Sequence, residues 1–494
     1  MLKKHSKSSK KRLVLYPVRI AAVLAITSII LYIFFSIWPL TYSIYIAFTD
    51  ANATNIASDP KIAELKSIYD SSKNYLLNNK DKIISYAKEV DNNINSTILQ
   101  LNMFKEYLQN VTPQTFSTDI INNYRNNING YLLRIIQIVN SNETYFYYYT
   151  ELRNTLSKAY TITNSMWNDV DNIIGFKLFY TQEDINKIKD SSLPKIGMIV
   201  NELTNSSMIL KTIEENYDSF IETVLSDVSN EINRLSMHFV GLQNFVTLFT
   251  DSRFPYSILK TILFVLTSVP LKVIFGIIIA FLFSSPMIYG RKIMRAMLLI
   301  PWALPVLLSV TTWRMLFAPD GPLALILGQM LNYKFSIYTH EWDAFFVYNI
   351  VEMWLAYPFI MTITMGAIAS VPKEFIEASY IDGISVFSRF RKIMLPLTIK
   401  PILFATILTS GASLQAFMVP LLINDGGPTT MIKLPGFTST LGNANELMIL
   451  YGYNRAWLDQ QYGLSTATFL VVVAILFIYA LIWFYFIYKR GSTK

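Results

Sequence analysis

With 494 residues, 52 % of them hydrophobic, and a net charge of +8, the chain is too apolar for an ordinary soluble domain and is expected to cross a membrane several times. It has no cysteine, which excludes disulfides, thiolate metal centres and cysteine catalysis. Its three histidines (His5, His238, His340) lie far apart in sequence, where a metal site needs convergent ligands, and its Lys and Arg flank apolar runs instead of forming a stripe for nucleic acid.

Residues 1–19 form a basic segment with seven Lys/Arg, and an uncharged run follows from Ile20 to Thr49. That run exceeds the core of a signal peptide and reaches the roughly 20 residues a span needs, so a first transmembrane helix is predicted at 20–48. Five more spans are predicted at about Ile258–Phe283 (with Lys260 and Lys272 inside it), Ala296–Phe317, Phe345–Ser370, Ile399–Leu422 and Leu464–Tyr488, leaving a tail at 489–494. Charge in the short flanks sets the orientation. Eighteen Lys/Arg fall on the N-terminal side, against three (Lys334, Lys433, Arg455) in the short loops opposite. Both termini are therefore expected in the cytoplasm of a multi-pass plasma-membrane protein, with residues of about 50–255 outside.

The segment at about 50–240 is of another kind. From Asp50 to Ser236 it holds only three prolines (Pro60, Pro113, Pro194) and three glycines (Gly130, Gly175, Gly197), too few breakers for many short strands. Apolar residues recur at helical spacing, as in Ile94, Ile98, Leu101, Phe104 and Leu108. A bundle or long hairpins of amphipathic helices is predicted, with a coiled stalk as the alternative. All five Asn-x-Ser/Thr triplets of the chain, at Asn52, Asn95, Asn110, Asn142 and Asn205, fall in this region. They are candidate glycosylation acceptors on an outer face, although an Asn-rich segment also produces such triplets by chance.

No phosphate-binding loop, dinucleotide fingerprint, zinc-protease motif or nucleophile elbow occurs, so transport, sensing or anchoring is expected in place of catalysis, and no cofactor or metal is expected on this chain. The longest cytoplasmic loop, 371–396, is basic yet carries Phe375, Ile376, Tyr380, Ile381 and Phe387. Pro372 can open a short helix, Gly383 permits a bend, and Pro396 can open the next span. By physics alone this is either a membrane-surface turn or a docking element.

The spacing Glu377-Ala378-Ser379, Gly383, Ile393-x-Leu395-Pro396 resembles the EAA loop of permease subunits of binding-protein-dependent ABC importers. Trp354-Leu355-Ala356-Tyr357-Pro358, Leu299-Ile300-Pro301-Trp302 and Asn424-Asp425-Gly426-Gly427-Pro428 resemble the carbohydrate, MalF-like members of that class. The resemblance implies six transmembrane helices of the type I importer permease fold, with a permease core at 255–488; with the large helical insertion between helices 1 and 2, which is read from the composition of 50–240 and lies outside the resemblance, the expectation is an all-α membrane protein. It implies a sugar importer subunit and no enzyme. Its partners would be a second permease subunit, two copies of an ATPase that hold ATP and Mg, an extracellular sugar-binding protein and the lipid bilayer, with no nucleic acid. Glu377, Ala378, Ser379, Gly383, Leu395 and Pro396 would form the contact with the ATPase. Trp354, Tyr357, Thr409, Ser413 and Gln415 are candidates for the substrate path, against the alternative that such residues only pack helices. Arg314 and Glu352, at similar depth, form a candidate intramembrane pair, the alternative being an arginine that snorkels to the headgroups. Other substrates, a polyol or a sugar phosphate, stay open, as does a sensor with a helical ectodomain, which would lack a cytoplasmic signalling domain.

Overall fold

The computed structural model describes residues 18–175, 177, 179–285 and 288–491. The basic segment up to residue 17 and the last three residues of the tail lie outside the described residues. The chain divides into two compact units, Ala57–Ser236 and the remainder.

The membrane unit begins with α1 (Val18–Tyr32), a π-helical turn at Ile33–Ile37 and α2 (Trp38–Ala47). The wide turn has a local cause. Pro39 has no N–H to continue the ladder, and just before it Trp38 N–H reaches back five residues to Ile33 O. Almost every apolar side chain along this span is exposed in the isolated chain, as expected of a helix that faces lipid or a second subunit.

The second unit contains α3 (Asp59–Asn78), α4 (Lys80–Asn110), α5 (Thr118–Val139), α6 (Thr150–Ile174), α7 (Gln182–Glu215), α8 (Tyr217–Val224) and α9 (Ser226–Leu235). The periodicity seen in the sequence becomes the core: Ile94, Leu101, Phe104 and Leu108 of α4 are fully buried against Ile128, Leu132 and Ile135 of α5 and Ile196, Ile199 and Leu203 of α7. Helix α4 packs on α5 and α7, and α6 on α7, so the region is a bundle and not a coiled stalk.

Helix α7 opens with a capping box. Thr181 Oγ1 accepts from Asp184 N–H at 3.2 Å, and Asp184 Oδ2 accepts from Thr181 N–H at 3.0 Å. Lys177 bonds the same carboxylate at 2.6 Å. Lys177 first, then the Thr181 backbone and hydroxyl, hold the Asp184 carboxyl down to about 2. A depressed pKa stabilises the fold fully above the ordinary carboxylate value of about 4, and the contribution is lost as pH falls towards 2. Asp184→Asn is therefore expected to make helicity less sensitive to pH between about 4 and 2, read by circular dichroism during acid titration.

The membrane unit resumes with α10 (Gln243–Leu248) and α11 (Arg253–Ser284). The predicted third span is not one helix. It is α12 (Arg291–Leu298), α13 (Ile300–Ala303) and α14 (Val306–Leu316), because Pro301 and Pro305 each start a new helical segment. Then come α15 (Pro322–Leu331), α16 (Glu341–Ala369), α17 (Lys373–Ile381), α18 (Val386–Arg389), a second π-helical turn at Phe390–Met394, and α19 (Leu395–Leu414). The second π-turn repeats the device of the first: Leu395 N–H bonds Phe390 O immediately before Pro396. The fifth span thus starts at Val386, earlier than predicted, and Pro396 lies within the continuing helix instead of opening it. The chain ends with α20 (Met418–Asn424), the hairpin of β1 (Thr429–Ile432) and β2 (Thr440–Asn443), α21 (Met448–Trp457) and α22 (Tyr462–Gly491). Among the described residues five helical stretches are long and apolar enough to cross a bilayer: Ala22–Ala47, Arg253–Ser284, Glu341–Ala369, Val386–Leu414 and Tyr462–Tyr485. Helices α11 and α16 approach so closely that a Cβ on Gly276 would stand 2.7 Å from Ile360 Cβ.

Candidate functional site

Two features stand out in the membrane unit. The first is the connection between α16 and α19. Helix α17 ends in a Schellman motif, with Ile384 N–H donating to Ser379 O and Gly383 N–H to Tyr380 O, both at 3.1 Å. This ending requires a left-handed residue after the cap, and Gly383 has φ +64. No atom lies within 4 Å of the place a Cβ would occupy, so the demand for glycine is conformational and not steric. Ser385 then accepts from Ser388 N–H at 3.3 Å and caps α18.

Arg389 locks this elbow from beneath. It is buried, lies 3.5 Å from the centroid of the Tyr380 ring and donates to Ile384 O at 3.0 Å. Ser379 is also buried and donates to Ile376 O at 2.6 Å. Glu377 and Ala378 face outward, Leu395 is half-buried and Pro396 is exposed. Around the bend Phe375, Ile381, Val386 and Phe387 are exposed, Ile381 at 88 %. Phe281 meets Phe390 edge to face at 4.4 Å, which ties the elbow to the end of α11. The result is a rigid projection with an uncovered apolar tip.

The second feature is a buried polar centre. Lys272 on α11 is 1 % exposed, and its ammonium donates to Glu352 on α16 at 2.9 Å and to Ser413 on α19 at 2.7 Å. Ser413 in turn donates to Thr409 O at 2.9 Å. One charge inside the membrane demands an opposite charge, and here three core helices supply the set. Nearer the start of α11, Lys260 pairs with Glu341 and bonds Asn445 at 3.3 Å, while Arg253 forks onto Glu446 at 2.7 and 2.8 Å. The pairs 260/341 and 272/352 have nearly the same offset, so α11 and α16 run side by side in the same direction.

The predicted Arg314–Glu352 pair does not form. Arg314 is exposed and its Nε donates to Tyr338 Oη at 3.1 Å, whereas Glu352 belongs to Lys272. Arg314 does lie near the level of Glu352, since Trp313 beside it meets Trp354, but its side chain is on the exposed face of α14 and not on the face that meets α16. Lys272 was visible in the sequence as a charge within an apolar run, which by itself calls for an acidic partner on a neighbouring helix. Of the path candidates, only Ser413 and Thr409 join this centre. Tyr357 is buried, and its hydroxyl donates to Leu298 O at 2.9 Å, a carbonyl at the end of α12. Trp354 meets Trp313 edge to face at 5.7 Å, and Gln415 is exposed with its amide on Gly411 O at 3.2 Å. No cluster of three or more potential metal ligands occurs among the described residues.

The five sequons differ sharply. Asn95 and Asn205 are exposed within helices, but Thr97 and Ser207 are buried. Asn142 is exposed in a turn, with Thr144 buried and bonded to Ile138 O at 3.0 Å. Asn52 is half-buried and its amide donates to Asp50 O at 3.1 Å. At Asn110 both the asparagine and Thr112 are exposed.

A chain of several apolar spans, broken helices and a large helical insertion is a multi-pass α-helical membrane protein of the permease type. Residues 249–492 match the family of binding-protein-dependent transport system inner membrane components, and the chain belongs to that family. It is 32 % identical to the trehalose/maltose transport system permease protein MalF of Thermococcus litoralis over 247 residues, 49 % of this chain and 78 % of that one. It is 29 % identical to the maltose/maltodextrin transport system permease protein MalF of Escherichia coli (strain K12) over 276 residues, 54 % of this chain and 53 % of that one. The chain thus spans about half the length of the enterobacterial relatives. A crystal structure of a bacterial ABC transporter involved in the import of the acidic polysaccharide alginate shares 16 % identity at a TM-score of 0.42, over 58 % of this chain and 93 % of that one.

Proposed function

We propose that this chain is the membrane subunit of a binding-protein-dependent ABC importer of sugars, forming half of the translocation path beside a second permease subunit. The observation that carries the reading is the α17–Gly383–α18 elbow: rigid, apolar at its tip, and held between two core helices. Such a projection passes the rigid-body movement of a docked ATPase to α16 and α19. Glu377, Ala378, Ser379 and Gly383 form the projecting part, with Leu395 and Pro396 at the base of the next span. Two copies of a separate ATPase bind the ATP and Mg, and the basic flanks support a cytoplasmic side for the elbow and both termini. Neutral saccharides fit better than sugar phosphates or other anions, because the mid-membrane lysine is sealed and already neutralised by Glu352, whose side chain is the more exposed of the two.

The reading is tested by co-purifying the chain with an ATPase and a second permease subunit and measuring ATP hydrolysis with the sugar-binding protein. Hydrolysis stimulated by maltose or trehalose is expected. An assembly that forms without any ATPase would overturn it. The helical insertion lies outside and receives the sugar-binding protein. Its two ends leave the membrane unit side by side, since Asp50 N–H bonds His238 O at 3.1 Å and Val240 N–H bonds Phe48 O at 2.8 Å. Residues 57–236 can therefore be replaced by a short linker. Such a deletion is expected to leave membrane insertion intact and to weaken binding-protein association at least tenfold, read by pull-down; unchanged association would remove that role.

A further inference from the structure

The geometry points to Asn110 as an N-glycosylation site of this chain, with the first sugar seated in a hollow built beside it. The inference rests on the placement of the helical unit outside the cell. Asn110 is the last residue of α4, and Val111 after it is extended, with φ −71 and ψ 136. A glycosyl acceptor needs that shape: within a helix the hydroxyl residue of the triplet is turned away from the amide. The Asn110 side chain makes no hydrogen bond among the described residues, while Lys189 Nζ pins the backbone on both sides, on Gln109 O at 3.2 Å and Val111 O at 3.3 Å. The acceptor is thus held in place with its amide free.

The other four sites each fail a requirement. Thr97, Thr144 and Ser207 are buried, whereas Thr112 of the Asn110 triplet is exposed, its hydroxyl 3.1 Å from that of Thr115. Asn52 is half-buried, with its amide engaged on Asp50 O at 3.1 Å, and follows the end of α2 by only a few residues.

Asn110 also lines a hollow of about 360 Å³ with Met103, Glu106, Tyr107, Val111, Thr115 and Tyr124. The Tyr107 and Tyr124 rings lie 6.0 Å apart, and the Tyr107 hydroxyl is fixed by Ser117 N–H at 3.0 Å. Aromatic faces with a carboxylate and a hydroxyl at the rim suit a sugar ring, which presents C–H groups on one face and hydroxyls at its edge. Tyr107 sits three residues before Asn110, one helical turn away, so its ring lies on the side of the helix from which the amide projects.

In the transfer, the Asn110 Nδ2 forms a bond to C1 of a saccharide carried on a lipid diphosphate. The C1–O bond to the diphosphate breaks, the lipid diphosphate leaves with the electron pair, and one amide proton is released. The test is glycopeptide mass spectrometry on the full chain isolated from membranes of its native host. Occupancy is expected at Asn110 in most copies, with loss of the electrophoretic shift in Asn110→Gln and its retention in Asn95→Gln and Asn205→Gln. The same wild-type chain made in a host without such a transferase is expected to melt at a lower temperature, since the sugar covers Met103 and Tyr107. An unmodified Asn110, or higher occupancy at any of the other four sites, would overturn the assignment; equal melting of the two forms would overturn the seat in the hollow. ATPase co-purification is independent of either outcome, so failure here does not mimic failure of the transport reading.

Discussion

Replacing Gly383 with valine is expected to abolish sugar uptake while leaving the amount of protein in the membrane unchanged. The residue sits at φ +64 in a Schellman ending, and a β-branched side chain there costs about 1–2 kcal/mol or more of local strain. The ending can relieve that strain only by abandoning the bonds from Ile384 to Ser379 and from Gly383 to Tyr380, which turns the α18 side of the elbow away from α17. The core helices lose nothing, because nothing packs on Gly383. Uptake assays paired with quantitative blotting of membranes separate the two effects. Preserved uptake would show that the elbow does not transmit energy; lost insertion would show that it is needed for folding.

Replacing Lys272 with methionine is expected to destabilise the membrane unit by about 3–5 kcal/mol, the cost of leaving a buried partner uncompensated. Glu352, held at 2.9 Å, would be the orphan. The double variant Lys272→Met/Glu352→Gln is expected to recover much of the loss, since the charge and its desolvation then disappear together. Thermal unfolding in detergent reads the cycle. A charge exchange between Arg314 and Glu352 is expected to rescue nothing, because Arg314 is bonded to Tyr338 instead.

Most of the spans, the helical insertion and the bend at Gly383 were legible because each rests on a local rule. Apolar runs of span length need no tertiary knowledge, and neither does the helical period of Ile94 to Leu108. The triplet Glu377-Ala378-Ser379 with Gly383 four residues later also records local structure, a helix followed by its left-handed stop. What escaped depends on how helices meet. The Lys272–Glu352 pair needs the side-by-side register of α11 and α16, which no run of sequence states. Placing Arg314 failed for a related reason: the sequence does not state which face of α14 meets α16, and Arg314 is on the other one, bonded to Tyr338. The start of the fifth span at Val386 was missed because Arg389, Arg391 and Lys392 made a helical turn look like loop. The burial of Arg389 beneath Tyr380 shows what that charge does.

The absence of cysteine makes one measurement especially direct. A single cysteine introduced at Ile381, the most exposed apolar residue of the elbow's first helix, is expected to crosslink to the ATPase subunit in assembled membranes, and ATP is expected to change the yield. A cysteine at Leu441, exposed on β2 and expected on the outer side, should give no such product. Crosslinking to the ATPase from Leu441 and none from Ile381 would contradict both the orientation and the coupling role of the elbow.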